Sequence, residues 1–326
     1  ATPAIGFHMP ETGEGFWLLT EQRTCLGDSA IELEESEDRS RASLRISAPG
    51  VRPDFRYIIA NTHFPSEDIA HDFNLSDVVE LKVRLYAFSC KDIQTLFDKF
   101  TDIRKELTPL PVLKNLIPFS AAWDIQEKKY NQQNWVEQQG YFSVGMRDNP
   151  VQDWQVGWTG GMIATYPLLF AGAPLSRERA LRNFDFLFDK GQDKSGLFYG
   201  LAYQGVFFGD YDEDASKRGH LIRRSGDALY YIIKQFLLMN RQNPATVIPV
   251  KWLQGTRCCA DALVRLWDTY GQFGQFADSL NGTILIGGSA CGGIVPAALA
   301  LAGDYFGDND YLRVAKQSAQ HFYENF

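Results

Sequence analysis

Residues 284–303 read ILIGGSACGGIVPAALALAG, twenty consecutive positions without a charged side chain. A helix that is apolar all round must be buried all round. A membrane span is the competing reading, because the uncharged run from Asn281 to Gly303 is nearly long enough. Gly282, Gly287, Gly288, Gly292, Gly293 and Pro296 argue against a span, and the apolar residues are mostly alanines. A buried helix with close neighbours explains the run better. Two other stretches are of the same kind. Gly157 to Ala171 carries no charge, and Gly226 to Met239 carries only Asp227 and Lys234.

Amphipathic helices alternate with these apolar ones. Ala180, Leu181, Phe184, Leu187 and Phe188 form one stripe. Cys259, Ala262, Leu263, Leu266, Trp267 and Tyr270 form a second. Tyr311, Leu312, Ala315, Ala319, Phe322 and Tyr323 form a third, after Asp308 or Asp310 as N-cap. Gly160, Gly226 and Gly288 mark corresponding points, 66 and 62 residues apart. The loops recur as well: Gln139-Gly140-Tyr141-Phe142, Ser195-Gly196-Leu197-Phe198-Tyr199 and Gly271-Gln272-Phe273-Gly274-Gln275-Phe276 each precede an apolar helix. Self-similarity at a fixed period is the mark of a repeat architecture. Apolar helices inside and amphipathic helices outside describe two concentric layers.

The first ninety residues read differently. Gly15 to Leu19 and Arg41 to Ser47 are short runs bounded by turn residues, and Val79 to Tyr86 alternates apolar and polar, the period of a half-buried strand. The pattern changes at Cys90. Ile93, Leu96, Phe97, Phe100, Ile103, Arg104 and Leu107 lie on one helix face, and Thr108-Pro109-Leu110-Pro111 stops that helix. The fold expected is mainly α, in three parts: a β-rich, partial β-sandwich domain over 1–90, a linking helix within 91–117, and helical hairpins over 118–326.

Composition narrows the function. The chain has 326 residues, 45% hydrophobic and 22% charged, as in a folded globular protein. Its net charge of −8 argues against a nucleic-acid partner, whose phosphates want a basic face. Cys25, Cys90, Cys258, Cys259 and Cys291 are too scattered for a disulfide framework or a zinc site. Adjacent Cys258 and Cys259 lie on a helical pattern, so at least one is a small core residue. No signal peptide is present, and the start at Ala1 fits either a terminus left by cleavage or an artificial boundary. A periplasmic or extracellular setting is expected over a cytoplasmic one.

Gly157-Trp158-Thr159-Gly160-Gly161, Arg224-Ser225-Gly226-Asp227-Ala228-Leu229-Tyr230, Gly287-Gly288-Ser289-Ala290-Cys291-Gly292-Gly293, and Pro296 to Ala302 followed by Tyr311-Leu312 carry a family resemblance. In these residues the chain resembles the six-hairpin glycosidase-like superfamily of (α/α)6 toroids, over roughly 90–326. The resemblance implies a carbohydrate-active toroid behind a β-sandwich and a linking helix. It further implies that the site lies at the mouth formed by loops entering the inner helices. The departure is in number, since about three and a half hairpins are present. A closed ring at this period needs roughly 150 more residues. An open arc, a partner chain over the apolar face (a second copy included), or a longer polypeptide is therefore expected.

Three loops hold the candidate site residues. The first runs from Arg147 to Trp158 and offers Asp148 and Asp153 as catalytic carboxylates, beside Trp154 and Trp158 as sugar platforms. An indole stacks on a sugar face, and a carboxyl against apolar surface tends towards a general acid. The plainer reading has Asp148 capping a turn and the tryptophans as packing. The second loop offers Asp212 as a catalytic group within Asp210, Asp212, Glu213 and Asp214. A calcium loop fails there, because Ala215 stands where Gly is needed and Leu221 where a carboxylate is needed. Tyr199, His220, Arg223 and Arg224 are assigned to substrate binding. Guanidinium groups beside an acidic run suit a uronic acid, unless Asp210–Asp214 or Asp227 already neutralise them. The third loop adds Gln275 for hydroxyl recognition, with Gln272, Asp278, Asn281 and Ser289 nearby.

No common nucleophile, metal or nucleotide motif appears, so neither a metal nor a cofactor is expected. The leading reading is a glycoside hydrolase using two carboxylates on an oligosaccharide or polysaccharide. A polysaccharide lyase with Tyr199, Tyr203, Tyr211 or His220 as base is the alternative enzyme. A non-catalytic carbohydrate-binding toroid is the alternative outside enzymology. A terpene cyclase, suggested by the Asp-rich 210–214, is disfavoured by the many loop amides.

Overall fold

The computed structural model describes residues 3–57, 62–108, 114, 116–144, 153–210 and 219–326. It is mainly α, with 45% of residues helical and eight α-helices among the described residues. The chain divides into two compact units: Ala1–Tyr57 with Thr62–Leu116, and, in the main, Ile117–Phe326.

The first unit is built on an antiparallel sheet. Strands β1 (Ala4–Met9) and β9 (Val83–Ser89) flank β2 (Glu14–Thr20). Three hairpins accompany it: β3–β4 (Arg23–Thr24, Gly27–Asp28), β5–β6 (Ala30–Glu35, Ala42–Ser47) and β7–β8 (Phe55–Tyr57, Thr62–Phe64). Helix α1 (Ile93–Leu107) starts at Asp92, whose carboxylate accepts the Thr95 amide at 2.7 Å. The helix packs on β1 and β2. Trp17 carries that contact: its indole N–H donates to the Leu96 carbonyl at 2.9 Å, and its ring meets Phe100. Opposite Trp17 on β1 stands Gly6, where an added Cβ would lie 2.7 Å from the indole. The strand expected over Val79–Tyr86 begins only at Val83. Val83 and Leu85 are exposed while Tyr86 and Phe88 are half-buried, so the alternation is real but its phase is the reverse of the apolar-in reading.

The second unit is helical. Helix α2 (Phe119–Lys129) runs into one π turn, Tyr130–Asn134. Then come α3 (Met162–Ala171), α4 (Pro174–Lys190), α5 (Ile222–Gln242), α6 (Val250–Tyr270), α7 (Val295–Phe306) and α8 (Asn309–Asn325). They pack in two rows. Helix α5 contacts α3 on one side and α7 on the other, while α6 contacts α4 and α8. The amphipathic stripes bury as their spacing predicts. Ala180, Phe184 and Leu187 of α4 and Cys259, Leu263 and Leu266 of α6 are all at or near zero exposure. Asp308 caps α8 by accepting the Asp310 and Tyr311 amides. The apolar row buries more: 11 of 21 residues of α5 against 8 of 21 of α6.

Two expectations need correction here. The apolar helices are not buried all round: Ile163 is 39%, Phe170 60% and Leu237 44% exposed. Phe170 and Leu237 line a groove of about 750 Å³ with Tyr166, Tyr230 and Leu301. Nor are the three glycines equivalent. Gly160 and Gly288 sit in left-handed turns before their helices, whereas Gly226 lies inside α5, where an added Cβ would meet Ile294 and Val295 at 2.8 and 2.9 Å. Gly226 lets the start of α7 approach α5. The uncharged run 284–303 is correspondingly divided into β17 (Ile284–Ile286), one 3₁₀ turn (Ala290–Gly292) and α7.

Short strands gather where the chain enters the apolar helices. Hairpin β10–β11 (Trp135–Val136, Tyr141–Phe142) and sheet β12–β13–β14 (Trp154–Gln155, Leu201–Tyr203, Val206–Phe208) precede or flank α3. Sheet β15–β16–β17 joins Gly219–Leu221, Phe276–Asp278 and Ile284–Ile286, and β15 leads directly into α5.

Candidate functional site

Asp153 stands immediately before β12 and is 2% exposed. Its backbone carbonyl accepts the Val144 amide at 2.8 Å. Its Oδ2 accepts the Tyr141 hydroxyl and, at 3.0 Å, the Gln204 amide. Its Oδ1 is buried and has no hydrogen-bond partner among the described residues. Leaving a buried polar atom unpaired costs about 1–3 kcal/mol, so the arrangement calls for a function or a bound partner. The Gln204 amide is aimed by a two-residue turn. Gln204 has φ +49° and Gly205 φ +80°, the paired positive values of a type I′ hairpin between β13 and β14.

Trp154, expected as a sugar platform, is fully buried. Its indole N–H donates to Asn183 at 3.2 Å, and Phe186 and Phe207 stand edge-on to its ring. It is core, because β12 pairs with β13 and turns this side chain inward. Trp158 is half-buried. Its N–H donates to Asp227 at 2.7 Å, and the guanidinium groups of Arg223 and Arg224 lie 5.6 and 4.6 Å from its ring.

Arg224 and Asp210 form a buried ion pair, with side chains 6% and 2% exposed. Burial pushes the Asp210 carboxyl up, and Arg224 with the Leu221 amide at 3.0 Å pulls it part of the way back. Gly200 closes this corner: an added Cβ would lie 2.4 Å from the Asp210 carboxylate. Arg224 is thus committed internally, which corrects its assignment to substrate binding. Arg223 differs. Its side chain is 59% exposed and approaches Asp227 at 3.5 Å. The Asp227 oxygen that it approaches also accepts the Trp158 N–H, so the contact is loose and leaves the Arg223 guanidinium largely open to solvent.

His220 is 1% exposed. Its Nδ1 accepts the Gly200 amide at 2.9 Å, which puts the neutral ring's proton on Nε2. Burial pulls the imidazole down to about 3, with Asp193 opposing and Arg224 adding to the shift. Nε2 has no partner among the described residues. Tyr199 stands edge-on to this ring at 5.2 Å. Burial, the Asp193 charge and the hydrogen bond to Asp193 push its phenol up to about 12. Gln275 is half-buried; its backbone bonds Ile286 at 2.7 Å and Ile222 at 3.0 Å, tying β17 to the start of α5.

Asp153 meets the chain at Gln204 and Asp210 at Gly200, on either side of β13. Asp148 and Asp212 lie outside the described residues, as does Arg218. Around Gly200 the structure brings together Trp158, Tyr199, His220, Arg223 and Arg224 with Asp193, Asp210 and Asp227. Tyr141 and Asp193 were not singled out as site residues in the sequence. Tyr141 and Tyr199 each lie in one of the repeated loops and each donates to a nearby aspartate, whereas Asp193 lies outside those loops.

Among the described residues no cluster of His, Cys, Asp and Glu is arranged to hold a metal ion. No described helix is long and apolar enough to cross a membrane.

No protein-family model matches the chain, and no curated protein matches it. Solved structures similar to it include a glycoside hydrolase from family 105 of C. acetobutylicum ATCC 824, at 15% identity and a TM-score of 0.47, over 72% of this chain and 62% of that one. A polysaccharide lyase matches at 14% identity and a TM-score of 0.42, over 69% and 58%. A variant of UGL with dGlcA-Glc-Rha-Glc matches at 17% identity and a TM-score of 0.35, over 50% and 43%. The chain spans between 43% and 62% of the length of these three structures.

Proposed function

We propose that the chain carries the site of a glycoside hydrolase that cleaves a uronic-acid-containing glycan by carboxylate acid/base chemistry. The observation that carries this reading is Asp153: a buried carboxyl clamped at Oδ2, with Oδ1 unpartnered among the described residues. In the proposed reaction Asp153 gives its proton to the glycosidic oxygen as the bond to the anomeric carbon breaks, and the bonding pair leaves with that oxygen. Water forms the new bond to carbon, losing its proton to a second carboxylate. Asp148 and Asp212 are the proposed candidates for that second group. Trp158, Arg223 and Asp227 form the proposed sugar subsite, with Arg223 as the cation for a uronate.

The hydrolase is favoured over a lyase by the bases available around Gly200. A lyase base must take a carbon-bound proton, and both groups there are ill suited. Tyr199 holds its proton, with its phenol pushed up to about 12, and the His220 Nδ1 lone pair is taken by the Gly200 amide. In this proposal the two helix rows are an arc of an (α/α) toroid, the first unit is part of a β-sandwich, and the setting is periplasmic or extracellular.

The test compares a 4-nitrophenyl uronide with the matching neutral glycoside. Wild type should prefer the uronide. Arg223→Ala should cost the uronide about fivefold, on the order of 1 kcal/mol for a largely exposed cation, and leave the neutral substrate unchanged. Equal rates on both substrates with both proteins would refute the acidic-sugar reading.

A further inference from the structure

Two separate elements converge on one oxygen of Asp153. Tyr141 reaches it from β11, its ring 1% exposed and held 4.8 Å from Phe186. The Gln204 amide reaches it from the β13–β14 turn, where both central residues have positive φ. The turn depends on Gly205, because φ +80° is strained for any L side chain and a Cβ there would also meet the Gln139 side chain at 2.1 Å. The Val144 amide fixes the Asp153 backbone as well. Both bonds therefore hold the carboxyl plane through Oδ2 and leave the buried Oδ1 as the oxygen without a hydrogen-bond partner among the described residues.

We infer that Tyr141 is a positioning residue, which with the Gln204–Gly205 turn fixes Asp153 so that Oδ1 carries the transferred proton. This rests on the reading of Asp153 as the acid. Tyr141 itself never touches substrate in this scheme; it acts through Asp153 alone. Two donors occupy Oδ2, so Oδ1 is the oxygen left to engage a partner outside the clamp.

A double-mutant cycle on the uronide hydrolysis separates the possibilities. Tyr141→Phe keeps the ring packing and removes the hydroxyl that donates to Asp153. It should lower kcat by about 10- to 100-fold, the scale of a misplaced catalytic group, with KM within about twofold. Asp153→Asn should lower kcat by about 10²–10⁴-fold. If Tyr141 acts only through Asp153, the double variant is no slower than Asp153→Asn. Unchanged kcat in Tyr141→Phe, or losses that multiply in the double variant, would overturn the inference while leaving Asp153 as the acid. Full activity in Asp153→Asn would instead remove the reading on which it rests. Gly205→Ala gives a second approach, because it disturbs the Gln204 amide without touching Tyr141; it should show the same coupling to Asp153→Asn, and independent losses would count against the clamp.

Discussion

Arg224→Ala tests whether the most prominent cation of the site is structural. Arg224 and Asp210 have side chains 6% and 2% exposed, and the pair is closed in by Gly200. Removing one partner of a buried pair leaves the other charge uncompensated, at a cost of about 3–5 kcal/mol. That is a large share of the roughly 5–15 kcal/mol by which domains are stable. For a unit of this size it corresponds to a fall in Tm of roughly 6–20 °C. The deficit should depend on pH. Burial already pushes Asp210 up, and Arg224 opposes it. Without Arg224 the protonated acid is the form that the fold prefers, so its contribution is present at low pH and lost as pH rises through the folded value. The deficit should therefore be larger at neutral pH than near about pH 4, where carboxylates titrate. Denaturant unfolding of the full chain at both pH values measures it. Arg224→Ala combined with Asp210→Ala removes both charges and should recover part of the loss. A loss below about 1 kcal/mol, the scale of an exposed pair, would refute the argument, as would selective loss of uronide affinity at unchanged stability.

Three further outcomes are expected. Trp154→Ala should cost about 3–5 kcal/mol in unfolding experiments, because it empties a fully buried indole site. His220, held neutral in the fold and lowered from 6.5 to about 3, binds a proton more readily when unfolded; between those values wild-type stability should fall by about 1.4 kcal/mol per unit of acidification, and His220→Gln should flatten that slope. Asp92→Ala should destabilise the first unit by about 1 kcal/mol through loss of the α1 cap, read by amide hydrogen exchange along α1.

The helices were legible because burial on one side writes a 3.6-residue period into the chain, as in Ala180, Phe184 and Leu187. Their starts were not. Glycine turns such as Gly157–Gly161 and Gly287–Gly288 are as uncharged as the helices they introduce, so composition alone ran the two together. Strands of two or three residues, such as β12 and β16, are too short to show alternation. The site was legible in its residue types but not in its pairings. Asp210, Asp212, Asp214 and Asp227 were all candidates for Arg224 in the sequence, and among the described residues Asp210 forms the buried pair with it. Trp154 and Trp158 sit four positions apart in one polar-looking loop, yet strand pairing sends the first into the core and leaves the second at the surface. Tyr141 carried only the weak signal of a repeated Gly-aromatic loop.

The most direct test of the account is to incubate the protein with a saturated uronic-acid oligosaccharide and follow new reducing ends together with the ultraviolet absorbance of an unsaturated uronide. Wild type should give new reducing ends without new absorbance, and Asp153→Asn should lose that product while folding and oligosaccharide binding are unchanged. New absorbance would identify a lyase, and oligosaccharide binding without turnover, unaltered in Asp153→Asn, would contradict catalysis by this carboxylate.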